Sequence, residues 1–539
     1  LAYLRGANMS FYPGDWYWIP SRAISTPGGN EITEFPAFTF LYGDLHPHVV
    51  ALPLTLLALG WVLSLVLTRG KWGKPGQRFK WLPALIGLAF GALVIGVLRP
   101  TNTWDFYTYT ALGGLVLAYV SFRYGEPGGD WLTRLDPLSR RVLFTLARIG
   151  VFVGLSLLFF QPYAEWYRQG YSELYVWEGL HTPFWSYLTH WGVFLFVIVS
   201  WLAWETRDWM ATTPMSSLAR LKPYTALIQG GVVLALGACI FLAMLGIWTG
   251  WLIVILGLWA SVLLFRPGMP DRKRLVLFLF GTGLVITLFV EFMALRGDPG
   301  RQNVIFKFYF QVWTLFALVA AAGLGWLVEA AARWRPRIAF SWQIALTLLV
   351  TSAALFPLMG GLDKIRDRMA PTAPHSLDGM AYMQVAEYTD DWGAMQLSQD
   401  YAAIRWLQEN VIGSPVIVEA NLRNLYRWGS RMTVYTGLPG VVGWEWHEQQ
   451  QRAVLTDPWV SNRVFEVGSF YQTTDVEAAK AFLQKYNVEY IIFGQQERGL
   501  YPGAGMDKFE QYDGVYWREV YNQGDTVIYQ VDCNCAPAS

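Results

Sequence analysis

Charge is what this chain has least of. Only 15% of its 539 residues are Asp, Glu, Lys or Arg, against about 25% in soluble domains, too few to clothe a soluble protein of this size. The charge present is balanced, 41 Lys+Arg against 40 Asp+Glu, so the basic excess of a nucleic-acid binder is missing. Three cysteines exclude a disulfide-rich scaffold and a multi-cysteine zinc site. No signal peptide is visible at the N-terminus. Residue 1 is Leu, in loop-like sequence, which predicts that an N-terminal portion precedes it. In excess are apolar and aromatic residues: 54% hydrophobic, 28 Trp, 28 Tyr, mean hydropathy +0.28. Such rings gather at membrane interfaces and sugar-binding surfaces.

The apolar runs are unevenly placed. Residues 1–45 are polar and aromatic, 46–360 hold nearly all the long apolar runs, and 361–539 read as a soluble domain. A bilayer core takes about 20 apolar residues per helix. Ten spans are predicted, near 47–68, 81–98, 104–122, 142–161, 187–204, 224–244, 247–265, 275–294, 304–329 and 340–359. Gly246, Trp248 and Gly250 part the sixth and seventh as a tight turn or one broken helix. Loops after the odd spans carry 19 Lys and Arg; those after the even spans, up to the start of span nine, carry 5. By the positive-inside rule the odd loops are cytoplasmic. Residues 1–45 and 361–539 then lie outside, with the acidic, aromatic loop 162–186. The predicted fold is a polytopic α-helical membrane protein with a C-terminal extracytoplasmic α/β domain. In that domain Ala402–Asn410 and Val476–Tyr486 read as helices, Pro415–Ala420 and Glu489–Phe493 as strands, and Val515–Tyr521 with Thr526–Val531 as a closing hairpin. Cys533-Asn534-Cys535 reads as a tail and Cys239 as packing within a span.

Four polar constellations stand out. The first is Gly43-Asp44-Leu45-His46-Pro47-His48, running into span one. Asp44, His46 and His48 suit proton abstraction or a hard divalent ion such as Mg or Mn; the same residues also make a capped helix start with interfacial histidines. The second is Arg99-Pro100-Thr101-Asn102-Thr103-Trp104-Asp105, either a turn or a set of costly, functional charges at membrane depth. In the third, Asn303, Lys307 and Gln311 are spaced by four and share a helix face. Lys307 with Arg99 and Arg301 suits a phosphate group; alternatively Lys307 forms a structural ion pair with Glu291. The fourth combines Arg427 with Trp444-Glu445-Trp446-His447, suited to stacking on a sugar and binding its hydroxyls, or to docking the domain on the membrane part.

The Glu34-Phe-Pro stretch leading into Gly-Asp-Leu-His-Pro-His, Arg99-Pro-Thr-Asn-Thr-Trp-Asp105, Lys307-Phe-Tyr-Phe-Gln-Val-Trp313 and Gly443-Trp-Glu-Trp-His447 resemble the "YYY" family of bacterial and archaeal polytopic membrane proteins, which carries a domain of unknown function. The match runs from about residue 10 to 455. The family's architecture is similar to that of the GT-C glycosyltransferases, which move a sugar from a polyprenyl-phosphate donor to an outward-facing acceptor. The resemblance implies a key acidic residue in a first outer loop upstream of Leu1, in a preceding segment or a partner subunit.

Two functions follow from these residues. In the first, a GT-C-like glycosyltransferase, Asp44 acts on a glycan, lipid or protein acceptor, with His46 or His48 beside it. Arg99, Arg301 and Lys307 meet the lipid phosphate, and Trp444, Glu445 and His447 read the sugar or acceptor. This reading predicts that Asp44, Arg99, Asp105 and Lys307 border one outward cavity beneath the Trp444–His447 loop. The second is a non-enzymatic transporter of lipid-linked precursors or a scaffold subunit. Transporters often show inverted repeats and midplane charges; here the charges gather on one side and no repeat is visible.

Overall fold

The structure, a computed structural model, describes residues 12–24, 31–43, 45–70, 81–125, 135–166, 173–296, 300–422, 427–452 and 458–532. Asp44, Cys533 and Cys535 lie outside them. The described residues form two compact units, one ending at Asp367 and the other beginning at Arg368.

The first unit is a helical bundle. Its principal helices are α1 (Pro47–Leu67), α2 (Trp81–Gly96), α3 (Thr103–Tyr124), α4 (Pro137–Leu158), α5 (Phe184–Thr212), α6 (Thr225–Met244), α7 (Thr249–Leu264), α8 (Asp271–Phe292), α9 (Gln302–Ala331) and α10 (Pro336–Leu355). Each predicted span corresponds to one of these helices, but only eight among the described residues are long and apolar enough to cross a membrane. The ten expected are corrected on two counts. Helix α7 has 16 residues, short of the roughly 20 a bilayer takes. Helix α3 mixes Asp105, Arg123 and a run of Thr and Tyr into its apolar residues. The sixth and seventh spans are separate helices, parted at Gly246, whose φ of +76° suits glycine.

Helix boundaries follow local chemistry. Pro47 and Pro137 occupy first-turn positions, where a missing N–H costs nothing. The Asp136 carboxylate caps α4 by accepting from the Leu138 and Ser139 amides at 3.0 Å. Gly91 lets α2 approach α1 closely: a Cβ there would lie 2.1 Å from the Trp61 ring, whose indole N–H donates to the Gly87 carbonyl at 2.9 Å.

Helix α9 is the spine, packed against α8 and α5, with Phe306, Phe310, Leu315, Phe316 and Val319 buried. Helices α6 and α10 are peripheral: α6 buries only Leu242 and α10 buries nothing. Their exposed Leu, Ile, Val and Phe make the apolar outer face that hydrocarbon would cover. Two short strands, β1 (Leu174–Val176) and β2 (Met293–Leu295), pair antiparallel and tie residues 174–176 to the end of α8.

Cations counted as cytoplasmic cap helix ends. Arg274 donates to the Leu264 and Arg266 carbonyls at 3.1 and 3.0 Å, meeting acceptors at the end of α7. Glu205 pairs with Lys273, and with Arg266 at 3.6 Å.

The second unit opens with a hairpin, β3 (Glu387–Asp390) and β4 (Gly393–Gln396). A mixed sheet follows in the order β5 (Val416–Val418), β6 (Val488–Phe493), β8 (Thr526–Val531), β7 (Trp517–Gln523). β5 runs parallel to β6; the other pairs are antiparallel. On one face Val418, Ile491 and Phe493 pack against Val467, Phe470, Phe482 and Leu483 of α12 (Trp459–Gln472) and α13 (Val476–Tyr486). On the other, Ile417, Ile492 and Ile528 pack against Ile404 and Leu407 of α11 (Leu397–Asn410). Near-continuous apolar runs in β5 and β6 are what a sheet covered on both faces requires.

Candidate functional site

Most of the membrane-domain residues singled out in the sequence collect around the first three turns of α9. One side of these turns meets the N-terminus of α1: the Phe306 ring lies 5.2 Å from His46 and 4.5 Å from His48, and His48 also meets Phe310 at 4.5 Å. Another side meets α3, where Trp104 packs on Phe308 at 5.7 Å. Asp105, in the first turn of α3, is buried, with Asn102, Gln311 and Lys307 beside it. Alignment is poor: one Asp105 oxygen, the Asn102 amide nitrogen and both polar atoms of Gln311 are buried without a well-formed hydrogen bond. Buried polar groups normally find partners, and ionisable groups among membrane helices are costly, so this cluster is the leading place for chemistry in the unit. Arg99 lies in the short turn Leu98–Thr101 that precedes α3, part-buried, with one guanidinium nitrogen unpartnered. Asn303 is half-buried on α9, on the face shared with Lys307.

A second cluster lies where α8 ends and α9 begins. Arg301 is almost fully buried. It pairs with Glu291 at 3.0 Å and Glu31 at 3.6 Å, and donates to the Val290 carbonyl at 3.1 Å and the Thr182 hydroxyl at 3.2 Å. Glu291 also accepts from the Thr182 amide at 3.0 Å and lies 3.4 Å from His181. Glu291 pairs with Arg301, because the turn before α9 brings the guanidinium onto the end of α8. Arg301, expected to meet a lipid phosphate, is held by the carboxylates of Glu291 and Glu31. Glu31 and Thr182 had no sequence signal; only the folded chain brings them to Arg301.

Asp44 lies outside the described residues, so its place among these groups is not described. His46 and His48 stand against aromatic rings, and among the described residues no three His, Cys, Asp or Glu side chains converge as metal ligands. The described residues alone therefore do not fit a divalent ion there; one held at this end would need Asp44 as a further ligand.

In the second unit, Arg427 pairs with Asp390, and with Asp391 at 3.5 Å. Trp444 donates its indole N–H to the Gly429 carbonyl at 3.1 Å and lies 5.7 Å from the His447 ring. Glu445 opens the helix Glu445–Gln451 and accepts from Gln449 at 3.3 Å. The strongest electrostatic feature went unread in the sequence. Buried Arg431 serves Asp400 at 2.7 Å, Glu497 at 2.9 Å and Glu419 at 3.4 Å. Burial pushes the Glu419 carboxyl up, and Arg431 does not fully offset it. For Glu497 burial acts the same way, but Arg431 and the Ala420 and Gly494 amides outweigh it and hold the group below its usual range.

A profile of the family described as "Uncharacterized membrane protein (DUF2298)" matches residues 2–316. No curated protein matches the sequence. Among solved structures, the chain is similar to the oligosaccharyltransferase of Archaeoglobus fulgidus. The form tethered by a disulfide to an acceptor peptide with the NVT sequon matches at 14% identity and TM-score 0.30, over 92% of this chain and 57% of that one. The form with Zn and sulfate matches at 12% and 0.26, over 91% and 55%. The apo form matches at 12% and 0.28, over 97% and 62%. The chain thus spans little more than half the length of these structures.

Proposed function

The chain belongs to the DUF2298 family of membrane proteins, and on that premise we propose that it is a GT-C-like glycosyltransferase. It moves a sugar from a polyprenyl-phosphate donor to a glycan, lipid or protein acceptor on the extracytoplasmic side of the cell membrane. The observation that carries this reading is the gathering of buried Asp105, Asn102 and Gln311 beside half-buried Lys307 among apolar helices, with Arg99 in the preceding turn. The imbalance of 19 against 5 loop cations supports an outward-facing site.

In the transfer, the acceptor oxygen or nitrogen loses its proton to a carboxylate and bonds to C1 of the sugar. The C1–O bond to phosphate breaks, and the lipid phosphate leaves with the electron pair. Lys307 and Arg99 meet the charge that develops on that phosphate, where a prearranged cation lowers the barrier most. Asp105 and Asp44 are the proposed carboxylates, with His46 and His48 beside the second. Asn102 and Asn303 bind sugar hydroxyls, while Arg301 and Glu291 hold the ends of α8 and α9 in place. In the second unit, Arg427, Trp444, Glu445 and His447 are proposed to contact the acceptor.

The test is transfer of radiolabelled sugar from polyprenyl-phosphate donors by full-length protein in lipid. Asp105→Asn and Lys307→Ala should each lose activity while remaining folded. Specific lipid binding with no transfer from any donor favours a carrier of lipid-linked precursors instead.

A further inference from the structure

A cleft of about 490 Å³ opens within the second unit, lined by Asp391, Trp392, Asn421, Phe465, Ser469 and Tyr501 among others. Its volume is within the range of small-molecule sites, about 300–1,000 Å³. It shares no residue with the constellations singled out in the sequence.

We propose that this cleft binds a neutral saccharide. Three aromatic side chains give it flat apolar surfaces, matching the C–H faces of a pyranose ring. Two of them are held in place. The Trp392 indole lies over Gly499, where a Cβ would come within 2.0 Å of the ring. Tyr501 stacks on buried Tyr471 at 5.1 Å with the rings 5° from parallel. Phe465 stands on α12 with 71% of its surface exposed.

Polar side chains lie among these surfaces. Asn421 is 9% exposed. Its amide nitrogen donates to the Gly443 carbonyl at 2.9 Å, which turns its oxygen the other way, and that oxygen is buried without a partner. The Trp392 indole nitrogen is likewise buried and unpartnered. Both atoms are closed off from the cleft, so a sugar hydroxyl, which both donates and accepts, meets instead the polar side chains that line it. Ser469, Gln472 and the Asp391 carboxylate are such partners. Among the described residues no Lys, Arg or His lines the cleft, and Asp391 is shared with Arg427 at 3.5 Å. That charge pattern disfavours phosphate and acidic sugars. Saccharide binding by the cleft is independent of transfer, while the acceptor class it suggests, a neutral glycan, rests on the transferase reading.

Gly468 supplies a specific test. It lines the cleft, and a Cβ there would meet the Tyr501 ring at 3.6 Å, an ordinary contact. Gly468→Leu therefore directs a side chain into the cleft from a position where its Cβ fits. Full-length protein in nanodiscs is titrated with maltose, mannobiose and diacetylchitobiose, read by saturation-transfer NMR. Sialyllactose and a neutral tetrapeptide serve as counter-probes. Saturable binding of at least one neutral disaccharide is expected, weakened tenfold or more by Gly468→Leu and by Phe465→Ala, with hydrogen exchange across β5 and β6 unchanged. Binding of none of the neutral sugars, binding that survives both variants, or preference for the peptide or acidic sugar overturns the proposal. Because binding is read without turnover, a failed transfer assay leaves this result standing, and the converse also holds.

Discussion

Replacing Arg431 by Met removes the cation shared by Asp400, Glu419 and Glu497 in the second unit. Breaking a buried ion pair costs about 3–5 kcal/mol, because a charge is left without its partner. Here one guanidinium, 2.7 Å from Asp400 and 2.9 Å from Glu497, serves three carboxylates, so the loss at neutral pH should reach the upper end of that range. Its pH dependence has a definite sign. Without Arg431, burial of Glu419 and Glu497 is opposed only by the backbone amides that donate to them, and their folded pKa values rise above the unfolded ones. The folded state then binds more protons than the unfolded, so stability falls as pH rises. The slope is about 1.4 kcal/mol per pH unit for each extra proton. Glu497, now held below its usual range, changes most; Glu419 is already raised. Arg431→Lys keeps the charge but not the fork that reaches Asp400 through Nε and Glu497 through Nη2, and should fall between the two. The assay is hydrogen exchange of full-length protein in detergent, reading opening free energies across β5 and β6 from pH 5 to 8. A deficit below about 1 kcal/mol that stays flat over that range would refute the reasoning.

Arg301→Met should destabilise the helical unit by a comparable ~3–5 kcal/mol, leaving Glu291 and Glu31 buried without their cation; a change in donor affinity with unaltered thermal unfolding would instead return Arg301 to phosphate binding. Gly91→Leu drives a side chain into the Trp61 ring and should cost about 1–3 kcal/mol through overpacking, seen as a lowered midpoint on heating. Lys508 is buried against Phe509, with its ammonium donating to the Tyr471 and Gly505 carbonyls at 2.9 and 2.7 Å. Burial lowers its pKa to about 7, while the unfolded chain keeps the proton to about 10.4. The unfolded state binds more protons in that window, so the second unit should gain stability from pH 7 to 9, by at most about 1.4 kcal/mol per unit. Urea unfolding followed by proteolysis should show that slope, and Lys508→Met should flatten it.

The architecture was legible wherever one physical pattern dominated. Long apolar runs marked the helices of the bundle, and β-branched runs marked β5, β6 and β8. The β3–β4 hairpin was not seen because Glu387–Asp390 and Gly393–Gln396 are mostly exposed and carry no apolar alternation. Helix α7 was read as a full span because the apolar run 247–265 counts Ile247, Trp248 and Phe265, which lie outside the helix and flank its 16 residues. Spacing by four placed Lys307 and Gln311 on one face, and their neighbour Asp105 lay in a motif already marked by its charge. Partners distant in the chain were hidden: Glu31 for Arg301, Glu497 for Arg431, and the scattered Trp392, Asn421, Phe465 and Tyr501 of the cleft.

The central claim is that the buried polar cluster at the start of α9 performs sugar transfer, and the most direct measurement is the transfer rate itself. Full-length protein in lipid is given radiolabelled polyprenyl-phosphate sugar and a mixture of neutral glycan acceptors. The account predicts product from the unaltered protein, a loss of about 10²–10⁴-fold in Asp105→Asn if that carboxylate takes the proton, and about 10²–10³-fold in Lys307→Ala, both with native hydrogen exchange. Transfer undiminished in both variants would contradict it.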